Sequence, residues 1–220
     1  MLGPIVGGLQ SAFSENWTEE TGEVIVGPKF FPPLQPAGHV QTHLAYYFDH
    51  GSVSSVDLLY RVAFASARRE LWIQNPYLAP DNDVLELLRD AADRGVDVRL
   101  MLPGFSDFWA PVSAGRSHYD ELLAAGVRIY EWREALMHAK TAVIDSHWSS
   151  VGSTNLDWRS FTHNYEADLI VEDAGFAREM EKRFQLDIQA ATPIDSATWR
   201  DRGLASRVKE WVARQWQYLL

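Results

Sequence analysis

His138 and Lys140, then Asp145, then Gly152-Ser153-Thr154-Asn155 gather an imidazole, an ammonium, a hydroxyl and a carboxamide within eighteen positions. These groups could attack and hold a phosphate ester. Neutral imidazole is a nucleophile toward phosphorus and can carry a covalent intermediate. An ammonium has three donors and can neutralise charge on the equatorial oxygens of a transition state. Ser153 and Asn155 add hydrogen-bond donors. A nucleophilic imidazole needs its second ring nitrogen held, which fixes the tautomer. Glu166, in Asn164-Tyr165-Glu166, is the natural candidate for that partner.

These side chains need strands to position them. Met137 to Ile144 reads as one, and residues two apart on a strand share a face. His138 and Lys140 are then expected to project together, with Met137, Ala139, Thr141 and Val143 turned into a core. Trp148 to Ser153 reads as the next strand, and Asn164 to Val171 as a third. The expectation is that His138, Lys140, Ser153 and Asn155 meet in one pocket, with Glu166 reaching the His138 ring. Alone, a His-x-Lys pair is usually a solvated strand face. Here the Asp, the Gly-Ser-x-Asn and the Asn-x-Glu fall in register with it. Only four lysines stand against sixteen arginines, and one of the four occupies the motif.

The 220 residues suffice for one large domain or two small ones, and a 46% hydrophobic content can fill a substantial core. No apolar run approaches the roughly 18 residues of a membrane span, and the N-terminus lacks the pattern of a signal peptide. Zero cysteines exclude thiolate chemistry. A formal charge of −10 argues against a broad nucleic-acid face and against general attraction to anionic lipid. The histidines do not group at metal-ligand spacings; His39 and His43 are four apart but read as loop and strand. The chemistry needs no metal and no cofactor, because Lys140 and the other donors supply the charge.

Along the chain, residues 1–17 read as a short helix and 18–39 as a proline-rich linker. His43 to Phe48 reads as a strand. Val56 to Arg69 reads as an amphipathic helix offering Leu58, Leu59, Val62, Ala63 and Ala67 to a core. Leu71 to Asn75 is a strand. Asp81 to Ala92 is a helix that buries Val84, Leu87, Leu88 and Ala91 and stops at Gly95. Val96 to Leu102 is a strand, Pro103 to Asp107 a loop, Ser117 to Ala125 a helix and Val127 to Glu131 a strand. Beyond the motif come helices at Ala174 to Ala191, Ser196 to Asp201 and Leu204 to Leu220. The last carries Leu204, Val208, Trp211, Val212, Gln215, Leu219 and Leu220 near one stripe, widened by Trp216 and edged by Arg207, Lys209 and Arg214. Such a stripe either packs on its own domain or lies in a lipid interface. The alternation predicts an α/β fold, a mixed sheet sandwiched by helices.

The pattern His-x-Lys-x4-Asp-x6-Gly-Ser-x-Asn resembles the signature of the phospholipase D superfamily. From about Val53 to Trp199 the chain looks like the C-terminal half of a bacterial cardiolipin synthase-like protein. Asn75-Pro76-Tyr77 with Pro80, Arg94-Gly95-Val96, Pro103 with Ser106-Asp107, and Asn155-Leu156-Asp157 with Arg159-Ser160 carry the likeness. Residues 3–26 resemble the segment that follows the first motif of such proteins. The resemblance implies that residues 1–38 are a remnant of a first half with its linker, and that 39–220 form the second catalytic domain. It agrees with Glu166 as the holder of the histidine. It makes Asp145, grouped with the catalytic motif by its spacing, more structural than chemical.

Two-motif members carry the signature twice; one histidine takes the phosphoryl group and the other protonates the leaving alcohol. This chain carries it once, so an upstream half or another chain is expected to supply the second. Truncation is favoured over a naturally single-motif enzyme. The leading function is phosphatidyl transfer between phosphatidylglycerols to give cardiolipin, with phospholipase D hydrolysis when water replaces the acceptor. The alternatives are a homodimeric phosphodiesterase or nuclease and an inactive remnant. The implied partners are a phospholipid substrate and peripheral membrane contact, without nucleic acid. The implied location is the cytoplasmic side of the bacterial inner membrane, or the cytoplasm.

Overall fold

The computed structural model describes residues 1–47, 54–106 and 108–216. Among the described residues, eight strands form one mixed sheet. In spatial order they are β1 (Gln41–Tyr47), β9 (Glu166–Glu172), β7 (Trp148–Gly152), β6 (Thr141–Ile144), β2 (Glu70–Gln74), β4 (Asp97–Pro103), β5 (Arg128–Trp132) and β10 (Thr192–Pro193). The pairs β2–β4 and β4–β5 are parallel and the other neighbours antiparallel. The expected α/β sandwich is therefore present. The strands β3 (Leu78–Ala79) and β8 (Leu156–Asp157) form a separate parallel pair beside it.

The central strands are apolar on both faces, as strands covered by helices must be. Leu71 and Ile73 of β2 and Leu100 of β4 face the main core, which α2 (Ser55–Ser66), α3 (Asn82–Asp93) and α5 (Tyr119–Ala124) complete with Tyr60, Phe64, Leu85, Leu88, Tyr119 and Leu122. On the other face α7 (Ala174–Ala190) lays Phe184 on Trp72, with ring centroids 5.4 Å apart, beside Met101 and Met137. Side chains start these helices. Ser54, Asp81 and Asp173 accept from the backbone N–H groups of Asp57, Val84 and Phe176, satisfying donors that the first turn leaves open. Gly95, at φ +87°, turns the chain out of α3 into β4.

Several expectations shift. The strand expected from Met137 begins only at Thr141, because both neighbours stop there: Thr141 pairs with Gln74, the last residue of β2, and with Val151, next to the end of β7. Met137 and Val143 are buried as expected, but Ala139 is exposed. In α2 the buried side is Val56, Tyr60 and Phe64, whereas Leu58 and Val62 are exposed; the helix is apolar nearly all round, and the aromatic side won the core. In α3, Leu85 is buried with Val84, Leu88 and Ala91, while Leu87 is only half-buried. The first helix, α1 (Ile5–Thr21), runs a turn further than expected and ends on Gly22 at φ +71°. A helix not foreseen, α4 (Trp109–Arg116), fills the stretch after the Pro103 loop; its Pro111 lies in the first turn, where a missing N–H costs nothing. The helix α8 (Ser196–Arg200) is followed by α9 (Leu204–Gln215). Phe48, Val53, Asp107, Leu219 and Leu220 lie outside the described residues. Among those described, no helix is long and apolar enough to cross a membrane.

Asp145 ends β6 in the left-handed region (φ 53°). Its carboxylate accepts from three successive backbone N–H groups, those of Arg68 (3.0 Å), Arg69 (2.7 Å) and Glu70 (3.1 Å). It ties the turn after α2 to the β6–β7 hairpin. Asp145→Ala removes these charge-assisted bonds and places an alanine where aspartate is better tolerated. We expect it to lower the unfolding free energy by about 2 kcal/mol in urea titration, with the His138 end of the sheet intact. Unchanged stability would refute the anchoring role.

Candidate active site

One end of the sheet carries the candidate chemistry. β2 and β7 run toward it, and β6 and β9 start from it. His138 and Lys140 precede β6, Ser153 and Asn155 follow β7, Glu166 opens β9, and Asn75 and Tyr77 follow β2. The Gly152 N–H donates to the Lys140 carbonyl at 3.1 Å, so the two halves of the motif meet across the hairpin.

Lys140 is buried and His138 exposed. The Lys140 ammonium lies 2.9 Å from His138 Nδ1 and 3.2 Å from Nε2, and also donates to the His138 carbonyl at 3.1 Å. The Tyr77 ring stands edge-on to the imidazole at 6.4 Å. Burial pushes the Lys140 pKa below its ordinary value, and the charges of Glu166 and Asp157 pull it back up.

Glu166 is buried. Ser153 Oγ donates to its Oε2 at 2.5 Å and Asn164 Nδ2 to its Oε1 at 3.5 Å. Burial raises its pKa, against the hydrogen bonds from Ser153, Ser160 and Asn164. Lys140, in contact with the His138 ring, also lies within the field of the Glu166 carboxylate. Asn155 lines a cavity of about 260 Å³ with Tyr77, Phe108, Asp157, Arg159 and Asn164. The four expected residues thus do not share one cavity lining. Asn155 lines the cavity; His138 touches its lining through the Tyr77 ring, and Ser153 through Glu166, which accepts from Asn164. Asp145 does not join them: five residues from Lys140 along β6 is about 16 Å at an extended rise.

Two supporting residues, Asp168 and Asn75, are not among the candidate site residues that the sequence offers. Asp168, fully buried, accepts from the Thr154 hydroxyl and, at 3.4 Å, from the Thr154 N–H. It lies two residues beyond Glu166 on β9, on the same face, and that period-two spacing was the available clue. Asn75 braces the same loop: its Nδ2 donates to the Thr154 carbonyl at 3.1 Å, and its Oδ1 accepts from the Leu156 N–H at 3.0 Å. Gly152 leaves room for Asp168, since a Cβ there would stand 1.7 Å from Asp168 Oδ1 and 2.6 Å from the Ala167 carbonyl.

Two predictions follow from this geometry. Gly152→Ala should cost about 2–4 kcal/mol by overpacking and loss of the buried carboxylate's bonds. Combined with Asp168→Ala, the loss in denaturant titration should be less than additive; strict additivity would refute the steric link. Second, because Glu166 holds the Lys140 pKa up, Glu166→Gln should lower it further. The alkaline loss of inorganic phosphate affinity should then move to lower pH. A limb that stays in place or moves up would contradict the coupling.

Comparison with known proteins fits this arrangement. Residues 60–188 match the family model described as "Cardiolipin synthase, PLD-like domain". The chain is 33% identical to a cardiolipin synthase of Geobacillus sp. (strain WCH70), covering 96% of this chain and 43% of the relative. It is 34% identical to cardiolipin synthase A of Citrobacter koseri, covering 96% and 44%. The chain therefore spans less than half the length of these relatives. Among solved structures, the fold resembles Nuc, a phospholipase D family member from Salmonella typhimurium (TM-score 0.61, 18% identity, 72% of this chain and all of that one). It also resembles half of the phosphatidylserine synthase of Haemophilus influenzae (TM-score 0.67, 12% identity, 86% and 50%).

Proposed function

The chain belongs to the cardiolipin synthase family of phospholipase D-like domains, and we propose that it supplies one of the two His-x-Lys motifs of a phosphatidyl-transfer site. One observation carries this reading: the Lys140 ammonium reaches the ring of exposed His138 at 2.9 Å within the field of buried Glu166. In the proposed cycle His138 attacks the phosphorus of a phosphatidylglycerol. A P–N bond forms, the P–O bond to glycerol breaks, and a histidine of the second motif protonates the glycerol. The hydroxyl of a second phosphatidylglycerol then attacks phosphorus and gives its proton to the second-motif histidine, the P–N bond breaks, and cardiolipin is released. Lys140 neutralises charge on the phosphoryl oxygens throughout. Ser153 and Asn155 donate to those oxygens. Glu166 orders the set, and Asp145 anchors the hairpin from its far end.

The same reading assigns residues 1–38 to the preceding half and 39–220 to this one. Comparison of two helices of 17 residues each supports it. α7 has Phe184-x-x-Asp187, and both residues are used on the sheet: Phe184 is 3% exposed on Trp72, and Asp187 accepts from Gln74 Nε2 at 2.8 Å. α1 has Phe13-x-x-Asn16, but Phe13 is 54% exposed and Asn16 Oδ1 is buried without a hydrogen-bond partner. α1 packs along the edge strand β1 and does not use its Phe-x-x-Asn pair as α7 uses Phe184 and Asp187.

The test mixes this chain with a chain carrying the other motif and follows cardiolipin formed from phosphatidylglycerol. His138→Ala should abolish product, and Lys140→Met should lower turnover about 100- to 1,000-fold. The unmixed wild-type chain should be weak, for want of an acid for the leaving glycerol. Full turnover by His138→Ala refutes the nucleophile; robust turnover by a strictly monomeric chain refutes the one-motif reading.

A further inference from the structure

The last helix packs on the domain through its polar and small side. In α9, Glu210 and Ala213 are buried toward α4, and Glu210 accepts from Arg202 Nε at 2.9 Å. The opposite side of the helix is the apolar one, at the i, i+4, i+7, i+8 spacing of a single stripe. Leu204 is 75% exposed, Val208 52% and Trp211 64%, with Val212 beside them. A soluble helix ordinarily turns such a stripe inward. Exposed Phe105, Phe108 and Trp109 lie on the loop and first turn leading into α4, the helix that α9 packs against. Lys209 of α9 sits 4.8 Å from the Trp109 ring and joins the two elements.

Charge indicates what covers this face. Of the four charged residues on α9, Arg207, Lys209 and Arg214 are basic, and the single acid is buried against Arg202. Arg214 also lies 3.9 Å from Glu121. A basic edge around exposed aromatic and aliphatic side chains stands out on a chain whose net charge is −10. The face is also continuous with the candidate site, because Phe108 lines the cavity that Asn155, Arg159 and Asn164 share.

We propose that α9, with exposed Phe105, Phe108 and Trp109 beside α4, forms a docking face for an anionic phospholipid surface, which sets the mouth of the cavity at the height of the lipid headgroups. The apolar stripe enters the headgroup–acyl boundary, and Arg207, Lys209 and Arg214 meet lipid phosphates. This rests on the phosphatidyl-transfer reading for its choice of partner, but it is tested by binding alone.

The experiment sediments the full chain with vesicles of phosphatidylcholine, with and without phosphatidylglycerol. Wild type should bind the phosphatidylglycerol vesicles, and more weakly as salt rises. The double variant Val208→Ser/Trp211→Ser should lose on the order of tenfold in affinity, with a wild-type circular dichroism spectrum and melting profile. Leu58→Ser/Val62→Ser, at exposed positions on α2, should bind as wild type does. If the double variant proves misfolded, Arg207→Gln/Lys209→Gln decides, and must weaken binding to the charged vesicles. His138→Ala should dock normally, so a failure of phosphatidyl transfer leaves this result standing and a failure of docking leaves the chemistry standing. Wild type that stays in the supernatant, or folded α9 variants that bind equally well, would overturn the proposal. So would a lipid-free dimer that the α9 substitutions dissolve, since the face would then join copies of the chain.

Discussion

Asp168 is fully buried beneath the loop 152–155, with the Thr154 hydroxyl and N–H as its donors, and the site's geometry hangs on that placement. A carboxylate taken out of water is costly unless donors surround it. Burial raises its pKa, and the Thr154 and Ser153 bonds oppose the rise. The loop must therefore close over the carboxylate, and it can do so only where residue 152 has no Cβ. Once closed, the loop presents Ser153 to Glu166 and Asn155 to the cavity. The glycine and the hydroxyl residues of the motif thus serve geometry first, and two of the groups that would meet a ligand are held by one that would not.

A second constraint is electrostatic. Among the described residues no carboxylate forms a direct ion pair with Lys140; burial lowers its pKa, and the charges of Glu166 and Asp157 oppose that fall from a distance. A close Asp or Glu would satisfy the ammonium and leave it little to offer a phosphate. Here Glu166 spends its hydrogen bonds on Ser153, Ser160 and Asn164 and acts on Lys140 through its field. The ammonium instead contacts the His138 ring and carbonyl. Asp168, on the same face of β9, adds to the rise that burial imposes on the Glu166 pKa, and the hydrogen bonds from Ser153, Ser160 and Asn164 oppose it.

The order and type of most elements were legible in the chain. Central strands such as β4 announce themselves by length and apolarity, and α3 by its cap and stripe. The stripe of α2 misled because the helix is apolar nearly all round, so which side faces the sheet is decided by Tyr60 and Phe64 finding room, a tertiary outcome. α4 was missed because Pro111 and the small residues Ala110, Ser113, Ala114 and Gly115 give no helical periodicity. At this end of the sheet, the choice of His138, Lys140, Ser153, Asn155 and Glu166 as candidates was readable from chemistry and spacing. Asp168 and Asn75 were not, because their roles are to satisfy backbone and hydroxyl groups of a loop whose shape appears only after folding.

The spacing of the motif is itself hairpin geometry. β6 and β7 pair Thr141 with Val151 and Ile144 with Trp148, so position 140 falls opposite 152, and the Gly152 N–H meets the Lys140 carbonyl. The four residues between Lys140 and Asp145 are β6 itself, one crossing of the sheet. Asp145, Ser146 and His147 make the turn, with Asp145 and Ser146 both left-handed. The six residues between Asp145 and Gly152 are the remainder of that turn and the return strand up to its last residue. Inserting one residue into either interval would break the opposition of 140 and 152 and reverse which face the shifted strand presents. The His-Lys pair and the Ser-Asn loop would then leave opposite faces of the sheet. The fixed intervals of this signature are thus the length of one strand and the register of one hairpin. The aspartate at their midpoint is required where the hairpin turns, about a strand's length from any phosphate.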